Sequence, residues 1–211
     1  MEITWYGHNC FRLVERNTTT VVMDPHEGRQ SELRLKGDLV TVSSDYAEMN
    51  AVDAVKGYQY VINGPGEYEL GGVFVTGISF NQVDKEEDTA RRNVGYMVDY
   101  ESKLSILHLG NISKIPSQNK IERLGEIHVL MLPVGGNGAL NADMASEVIS
   151  LIEPNYVVPM RYALEEGEPL DLVDKFMKVM GVSNWVPQDV LRITPGILPE
   201  QPQVVVLNPQ T

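Results

Sequence analysis

Through the first half of the chain, short runs of β-branched and aromatic residues alternate with turn residues; helical stripes appear only in the second half. The segments "EITWYGHNCFRLVE" and "TTTVVMDP" predict hairpin-linked strands, separated by the turn-prone pair Arg16-Asn17. "LRLKGDLVTVS" predicts a further strand that stops abruptly at Ser43-Ser44-Asp45. A helix-compatible stretch follows, with Met49, Val52 and Val55 at helical spacing and Gly57 placed to end it. "YQYVINGPGEYELGGVFVTGISF" predicts two or three strands, broken at Gly64-Pro65-Gly66 and Gly71-Gly72. "NQVDKEEDTARRN" carries no periodic apolar signal and reads as a surface loop. "VGYMVDYESKLSILHLGNIS" predicts strand, turn at Glu101-Ser102, strand, and a sharp corner at Gly110-Asn111.

After that corner the rhythm changes. Ser117 is placed to cap a short helix carrying Ile121 and Leu124 and closed by Gly125. "IHVLMLPVGG" is almost continuously apolar, the mark of a strand buried on both faces. Asn141 caps a predicted helix with Ala145, Val148, Ile149 and Ile152 on one stripe, ended by Pro154. "NYVVPM" predicts a strand, Leu170, Val173, Phe176, Met177 and Met180 stripe another helix ahead of Gly181, and "QVVVL" predicts a closing strand. Strands early, βα units late, and no linker or repeat predict one α/β domain over residues 1–211, with sheets sandwiched between helices.

Composition narrows the partners. With 29 acidic against 17 basic residues the formal charge is −12, and the sequence pI is near 4.7. Such a surface repels phosphate backbones and anionic lipid, and Arg91-Arg92 is too short to make a basic patch. Neither nucleic acid nor a membrane is an expected partner. The single cysteine, Cys10, excludes an internal disulfide and a cysteine-built metal site, and it reads as a small core residue. "MEITWYGH" lacks the layout of a signal peptide and no apolar run is long enough to span a bilayer, so the cytoplasm is the expected address.

The corner "VTVSSDYAEMNA" lies where α/β proteins commonly place ligands and catalysts, yet it presents no obvious catalytic set. Several blocks explain it together. "ITWYGHNCFRL", Asp24-Pro25, "INGPGEYELGGVFVTGI", "LHLGN" and "LPVGGN…ASEVISLIEPNYVVPM" resemble, in order from Ile3 to Leu207, the metallo-β-lactamase-fold family of metal-dependent hydrolases, in its small ascorbate-phosphate-lactonase-like branch. The resemblance implies an α/β, αββα four-layer sandwich. It also implies a zinc or similar dinuclear centre whose bridging hydroxide attacks an ester, lactone, amide or phosphate bond.

Carried over residue by residue, the resemblance places Ser44 and Tyr46 on the first two histidines of the His-x-His-x-Asp-His motif. Glu48 falls on its aspartate and Met49 on its last histidine. Asn81 takes the place of a later histidine, Asn111 of the bridging aspartate, and Arg161 of the final histidine. Only Glu48 keeps metal-binding chemistry, and Arg161 adds a permanent positive charge. The expected cofactor content is therefore none, and Arg161 is expected to fill the former metal space by bonding Glu48 or Asp45.

His8, Asp24 and His108 match positions that orient ligands in the family. They read either as a fallback metal or acid–base cluster or as buried, hydrogen-bonded polar groups, the second being the expectation. Ser44 with Asp45 and His8 or His108 is a weaker nucleophile reading, since no Gly-x-Ser-x-Gly elbow frames it. His26 is expected at the surface and His128 in the core, and the "GPGEYELGG" glycines read as turns.

The expected function is that of a degenerate, non-catalytic member of the hydrolase family. It would be a binding, regulatory or structural module acting on a small molecule or protein through the old pocket, or by self-association. The alternative is a hydrolase using a displaced metal or a metal-free nucleophile.

Overall fold

The computed structural model describes residues 1–26, 35–46, 49–80, 82–84 and 89–210. Two mixed sheets face each other. The first contains β1 (Glu2–Trp5), β2 (Phe11–Val14), β3 (Val21–Met23), β4 (Leu39–Thr41) and β5 (Tyr60–Ile62). The second contains β6 (Gly66–Leu70), β7 (Val73–Ser79), β10 (Val94–Tyr100), β11 (Ser105–His108), β12 (Val129–Pro133) and β13 (Tyr156–Met160). Between β7 and β10 stands a separate ribbon of β8 (Gln82–Asp84) and β9 (Thr89–Arg91). Late in the chain β14 (Leu191–Arg192) joins the free side of β1, and β15 (Gln203–Val204) joins β13.

The sheets hold together because their inner faces share one core. Ile3, Trp5, Phe11 and Leu13 from the first sheet belong to the same buried cluster as Val75, Tyr96, Val98 and Ile106 from the second. The two-residue period shows in β2, where Phe11 and Leu13 are buried and Arg12 and Val14 half-buried. β12 is buried at every position, as its unbroken apolar run requires between β11 and β13 with a helix above.

Among the described residues there are three α-helices: α1 (Gln118–Glu122), α2 (Ala142–Ile152) and α3 (Val173–Val179). Asn141 Oδ1 accepts the Met144 N–H at 3.0 Å and so caps α2, whose Ala142, Ala145, Val148 and Ile149 are buried. α3 buries Val173, Phe176 and Met177 and is followed by Gly181 at φ +70. Both sheets are flanked on their outer sides, so the architecture is the expected αββα sandwich.

Three segments depart from the sequence pattern. Beyond Ser43-Ser44-Asp45, the described residues 49–57 hold a 3-10 turn, Val52–Ala54, and no α-helix, because the Ala51 N–H is drawn to the Pro25 carbonyl at 2.8 Å instead of a helical ladder. The turn still packs against the first sheet's outer face, where Val55 joins Cys10, Val22, Leu35, Val40 and Val42. The charged segment expected as a loop contributes β8 and β9, whose register pairs Gln82 with Arg91 and Asp84 with Thr89. Backbone bonding alone makes a strand of three residues, too short to display a period. β14 is shorter still, two residues registered on Glu2 and Ile3 and extended by the Ile193 N–H to the Met1 carbonyl.

Strands β3–β4–β5 and β11–β12–β13 are parallel runs, so the segments leaving β11, β12 and β13 emerge on one edge of the second sheet. The segment leaving β4 meets that edge, where the Val94 N–H donates to the Ser43 carbonyl at 2.9 Å. The candidate corner is built there.

Candidate functional site

Asp24 is the hub. It directly follows β3, is 1% exposed and has a left-handed backbone with φ 44. Its Oδ1 accepts the Ser43 N–H at 2.7 Å and its Oδ2 the Ser43 hydroxyl at 2.6 Å. Its own N–H donates to the Thr41 carbonyl at 2.9 Å, so β3 and β4 are tied together just beyond their ends. Burial pushes the Asp24 carboxyl above its ordinary value, opposed by the Ser43 bonds.

His108 stands 4.0 Å from that carboxyl, with no exposed surface. Its Nδ1 accepts the Gly110 N–H at 3.1 Å, which leaves Nε2 as the protonated nitrogen donating to the Asn9 carbonyl at 2.9 Å. Both ring nitrogens are thereby engaged in a neutral tautomer. His108 is a brace between the β1–β2 loop and the β11 corner, and it has no lone pair left for a serine or a metal.

Asn93 completes the brace, and no sequence pattern marked it. Its Oδ1 accepts the Asn111 N–H at 2.7 Å, while its Nδ2 donates to the Leu109 carbonyl at 2.9 Å. The only hint was a polar residue directly ahead of the apolar run "VGYMV". Tyr96 was likewise missed; its hydroxyl donates within reach of the Val42 and Ile62 carbonyls, at 2.9 and 3.2 Å. Burial raises its pKa well above the ordinary value, keeping it a neutral donor.

The sequence-predicted positions fall around this brace unevenly. Ser44 is buried and Met49 is 4% exposed, with its N–H on the Tyr46 carbonyl at 2.9 Å. Tyr46 turns outward, 43% exposed. Asn111 sits at the β11 corner with its Oδ1 buried and without a hydrogen-bond partner among the described residues. Glu48 and Asn81 lie outside the described residues. Asp24 and His108 are buried as expected, but His8 is exposed. Its backbone, at φ 46, is what enters the site: its carbonyl accepts the Trp5 indole N–H at 3.0 Å and the Arg161 N–H at 3.2 Å.

Arg161 directly follows β13, also left-handed at φ 51. Its Nη1 donates to the Gly136 carbonyl at 2.8 Å and its Nη2 to the Asn137 carbonyl at 3.1 Å. Asp45, one of its two expected carboxylate partners, is 3.1 Å from Arg92 instead. The guanidinium therefore clamps the loop after β12 through backbone oxygens, a geometry its planar fork suits. The expected bond to Glu48 lies outside the described residues.

Zinc requires about four N, O or S donors in near-tetrahedral array. The described matched positions offer a hydroxyl, a phenol, a thioether, an amide and a cation, which do not fit that requirement. Among the described residues no group of three or more His, Cys, Asp or Glu side chains is placed to hold an ion. Of the two histidines in the nucleophile reading, His108 has no nitrogen to offer Ser44, and His8 is exposed while Ser44 is buried.

The buried Asp24 has a measurable signature. Its folded pKa lies above the ordinary 3.8, so the folded state holds the proton more tightly than the unfolded chain. Its stabilising contribution is complete below that value and is lost as pH rises through the folded pKa. Asp24→Asn keeps an acceptor for the Ser43 N–H and removes the titration. Wild-type stability relative to Asp24→Asn is expected to fall with rising pH, by at most about 1.4 kcal/mol per unit. Denaturant melts of both proteins at a series of pH values check this; parallel stability curves would refute it.

Comparison with known proteins accords with this construction. Residues 2–161 match the β-lactamase superfamily domain family. A UPF0173 protein of Pyrococcus furiosus is 25% identical over 197 residues, spanning 84% of this chain and 91% of that one. A UPF0173 metal-dependent hydrolase of Koribacter versatilis is 23% identical, spanning 89% and 96%. A crystal structure from Thermotoga maritima, named as a Zn-dependent hydrolase of the metallo-β-lactamase superfamily, superposes with a TM-score of 0.79 at 28% identity, covering 98% of this chain and 97% of that one. With three quarters of its length inside the family match and the sandwich in place, the chain belongs to the β-lactamase superfamily domain family and has the metallo-β-lactamase fold.

Proposed function

We propose that this chain is a metal-free member of the metal-dependent hydrolase superfamily that works by binding at its former metal corner. Ser44, Tyr46, Glu48, Met49, Asn81, Asn111 and Arg161 are, on this reading, the vestiges of a ligand set. The observation that carries it is Arg161, a fixed cation at the end of β13, held by the Gly136 and Asn137 carbonyls where the resemblance puts a ligand histidine. A positive charge there opposes a divalent ion at any pH, since guanidinium does not deprotonate in proteins.

The neutral His108 and the Ser43-bonded Asp24 support the same reading, because they act as structural braces in place of ligand-orienting groups. Small molecules or a protein partner are the proposed ligands. The formal charge of −12 argues against nucleic acid and anionic membrane, and no described helix is long and apolar enough to cross a bilayer.

Elemental analysis of untagged protein, purified without chelator and then titrated with zinc, tests the proposal. We expect far less than one equivalent of any transition metal and no turnover of ester, lactone or phosphodiester probes. A stoichiometric ion that survives gel filtration would overturn it.

A further inference from the structure

On the outer side of His8 lies a cavity of about 280 Å³, lined by Tyr6, His8, His26, Tyr162, Glu165 and Glu168 among others. The β1–β2 loop forms one wall. That loop is closed by the Tyr6 N–H to the Cys10 carbonyl at 2.8 Å and the Cys10 N–H to the Gly7 carbonyl at 2.9 Å. The chain leaving β13 forms the other. Arg161 and Tyr162 are consecutive, yet the guanidinium is held by the Gly136 and Asn137 carbonyls while Tyr162 lines the cavity.

The lining has a consistent chemistry. Four of its side chains are aromatic rings, with His8 and His26 edge to face at 4.8 Å between centroids. Trp5 backs Tyr162 at 5.1 Å. Among the described residues its charged members are the two carboxylates Glu165 and Glu168, with no lysine or arginine. Glu168 is fixed in place, since its Oε1 accepts the N–H groups of Leu164 and Glu165 at 3.2 and 3.1 Å.

Tyr162 is the detail that asks for a ligand. Its side chain is only 6% exposed, it lines the cavity, and its hydroxyl has no hydrogen-bond partner among the described residues. The hydroxyl keeps access to the cavity space, where an occupant can hydrogen-bond it.

We propose that this cavity binds a small organic cation, of the class of a primary or methylated amine. The ammonium group sits between the Glu165 and Glu168 carboxylates, with the Tyr162 hydroxyl oxygen as a further acceptor and the carbon chain against the aromatic walls. An anion is excluded by the two carboxylates and by the protein's charge of −12, which draws cations toward it. The volume is at the small end of ligand pockets, which limits the occupant to a small metabolite. The functional meaning of this site rests on the binding role proposed above; its physical test does not.

The test is an NMR titration of the full chain, in the presence of chelator, with n-butylammonium, 1-butanol and butyrate. Butylammonium is expected to bind saturably with a Kd on the order of 1 mM, as befits five heavy atoms, and to shift the amides of His8, Leu164 and Glu165. Butanol and butyrate are expected not to saturate. Glu165→Gln with Glu168→Gln keeps the Oε1 acceptor and should weaken butylammonium by about tenfold or more. Tyr162→Phe, which removes only the hydroxyl, should weaken it by a smaller factor and serves if the double variant does not fold.

Equal binding of all three probes, shifts located elsewhere, or unchanged affinity in the folded variants would overturn the proposal. Because metal is chelated throughout, failure here leaves the metal-free reading standing. Discovery of a bound ion in untagged protein would in turn leave the cation site standing.

Discussion

Gly110→Ala is expected to destabilise the protein by about 2–5 kcal/mol, the sum of left-handed strain and forced repacking. Gly110 sits at φ +60, two residues beyond His108, the last residue of β11. A Cβ there would stand 2.5 Å from Asn93 Oδ1, 2.7 Å from Ser43 Cβ and 2.8 Å from Ser43 Oγ. None of these atoms can retreat freely. Asn93 Oδ1 holds the Asn111 N–H, Ser43 Oγ holds Asp24, and the Gly110 N–H itself holds His108 Nδ1.

Gly138 is the matched control. It has φ +84, and a methyl added there would meet nothing within 4 Å, so Gly138→Ala carries the strain alone, about 1 kcal/mol. For a chain of 211 residues the Gly110 variant should melt lower by about 5–15 °C. If thermal melts showed Gly110→Ala within about 1 kcal/mol of Gly138→Ala, the brace would be looser than its distances indicate.

That corner shows where sequence reasoning succeeds and where it stops. The sandwich was legible because its signals are periodic. β12 is one apolar run, α2 has a capping Asn141 and a single stripe, and the hairpin of β1 and β2 alternates across Arg12. Asp24 and His108 were legible as buried polar residues because a resemblance placed them. Asn93 was not, since its role depends on bringing residues 43, 93 and 111 together, which no local pattern encodes.

His8 illustrates the other limit. The expectation buried it with Asp24, but at φ 46 the backbone reverses locally and presents the ring outward while the carbonyl turns in. Arg161 repeats this at φ 51. Left-handed non-glycine residues carry an energetic cost and persist where surrounding structure over-determines them. Asp24, His8 and Arg161 share the condition at one corner, and the Arg161 N–H to His8 carbonyl bond links two of them. The Ser43–Asp24 bonds and the bonds to the His8 carbonyl hold this backbone shape from within the chain.

The final prediction exploits that persistence. Substituting Ser44→His, Tyr46→His, Glu48→Asp, Met49→His, Asn81→His, Asn111→Asp and Arg161→His together should convert a chain with no stoichiometric zinc into one that binds it with micromolar or tighter affinity. The reason is that donors, not backbone, are what the corner lacks. The Ser43–Asp24 and Gly110–His108 bonds fix the β4 and β11 corners from within the chain; Ser44 and Asn111 follow those corners directly, and Arg161 directly follows β13. Without zinc the variant should be less stable than wild type, because Arg161 no longer bonds the Gly136 and Asn137 carbonyls. Zinc should then raise its melting temperature, and chelation should reverse the gain. A companion variant that keeps Arg161 and carries the other six changes separates the two obstacles. It should bind zinc at least about tenfold more weakly, the effect of one missing donor and one opposing charge. A folded seven-site variant that takes up no zinc would show that these seven positions are not the vestiges of a metal site.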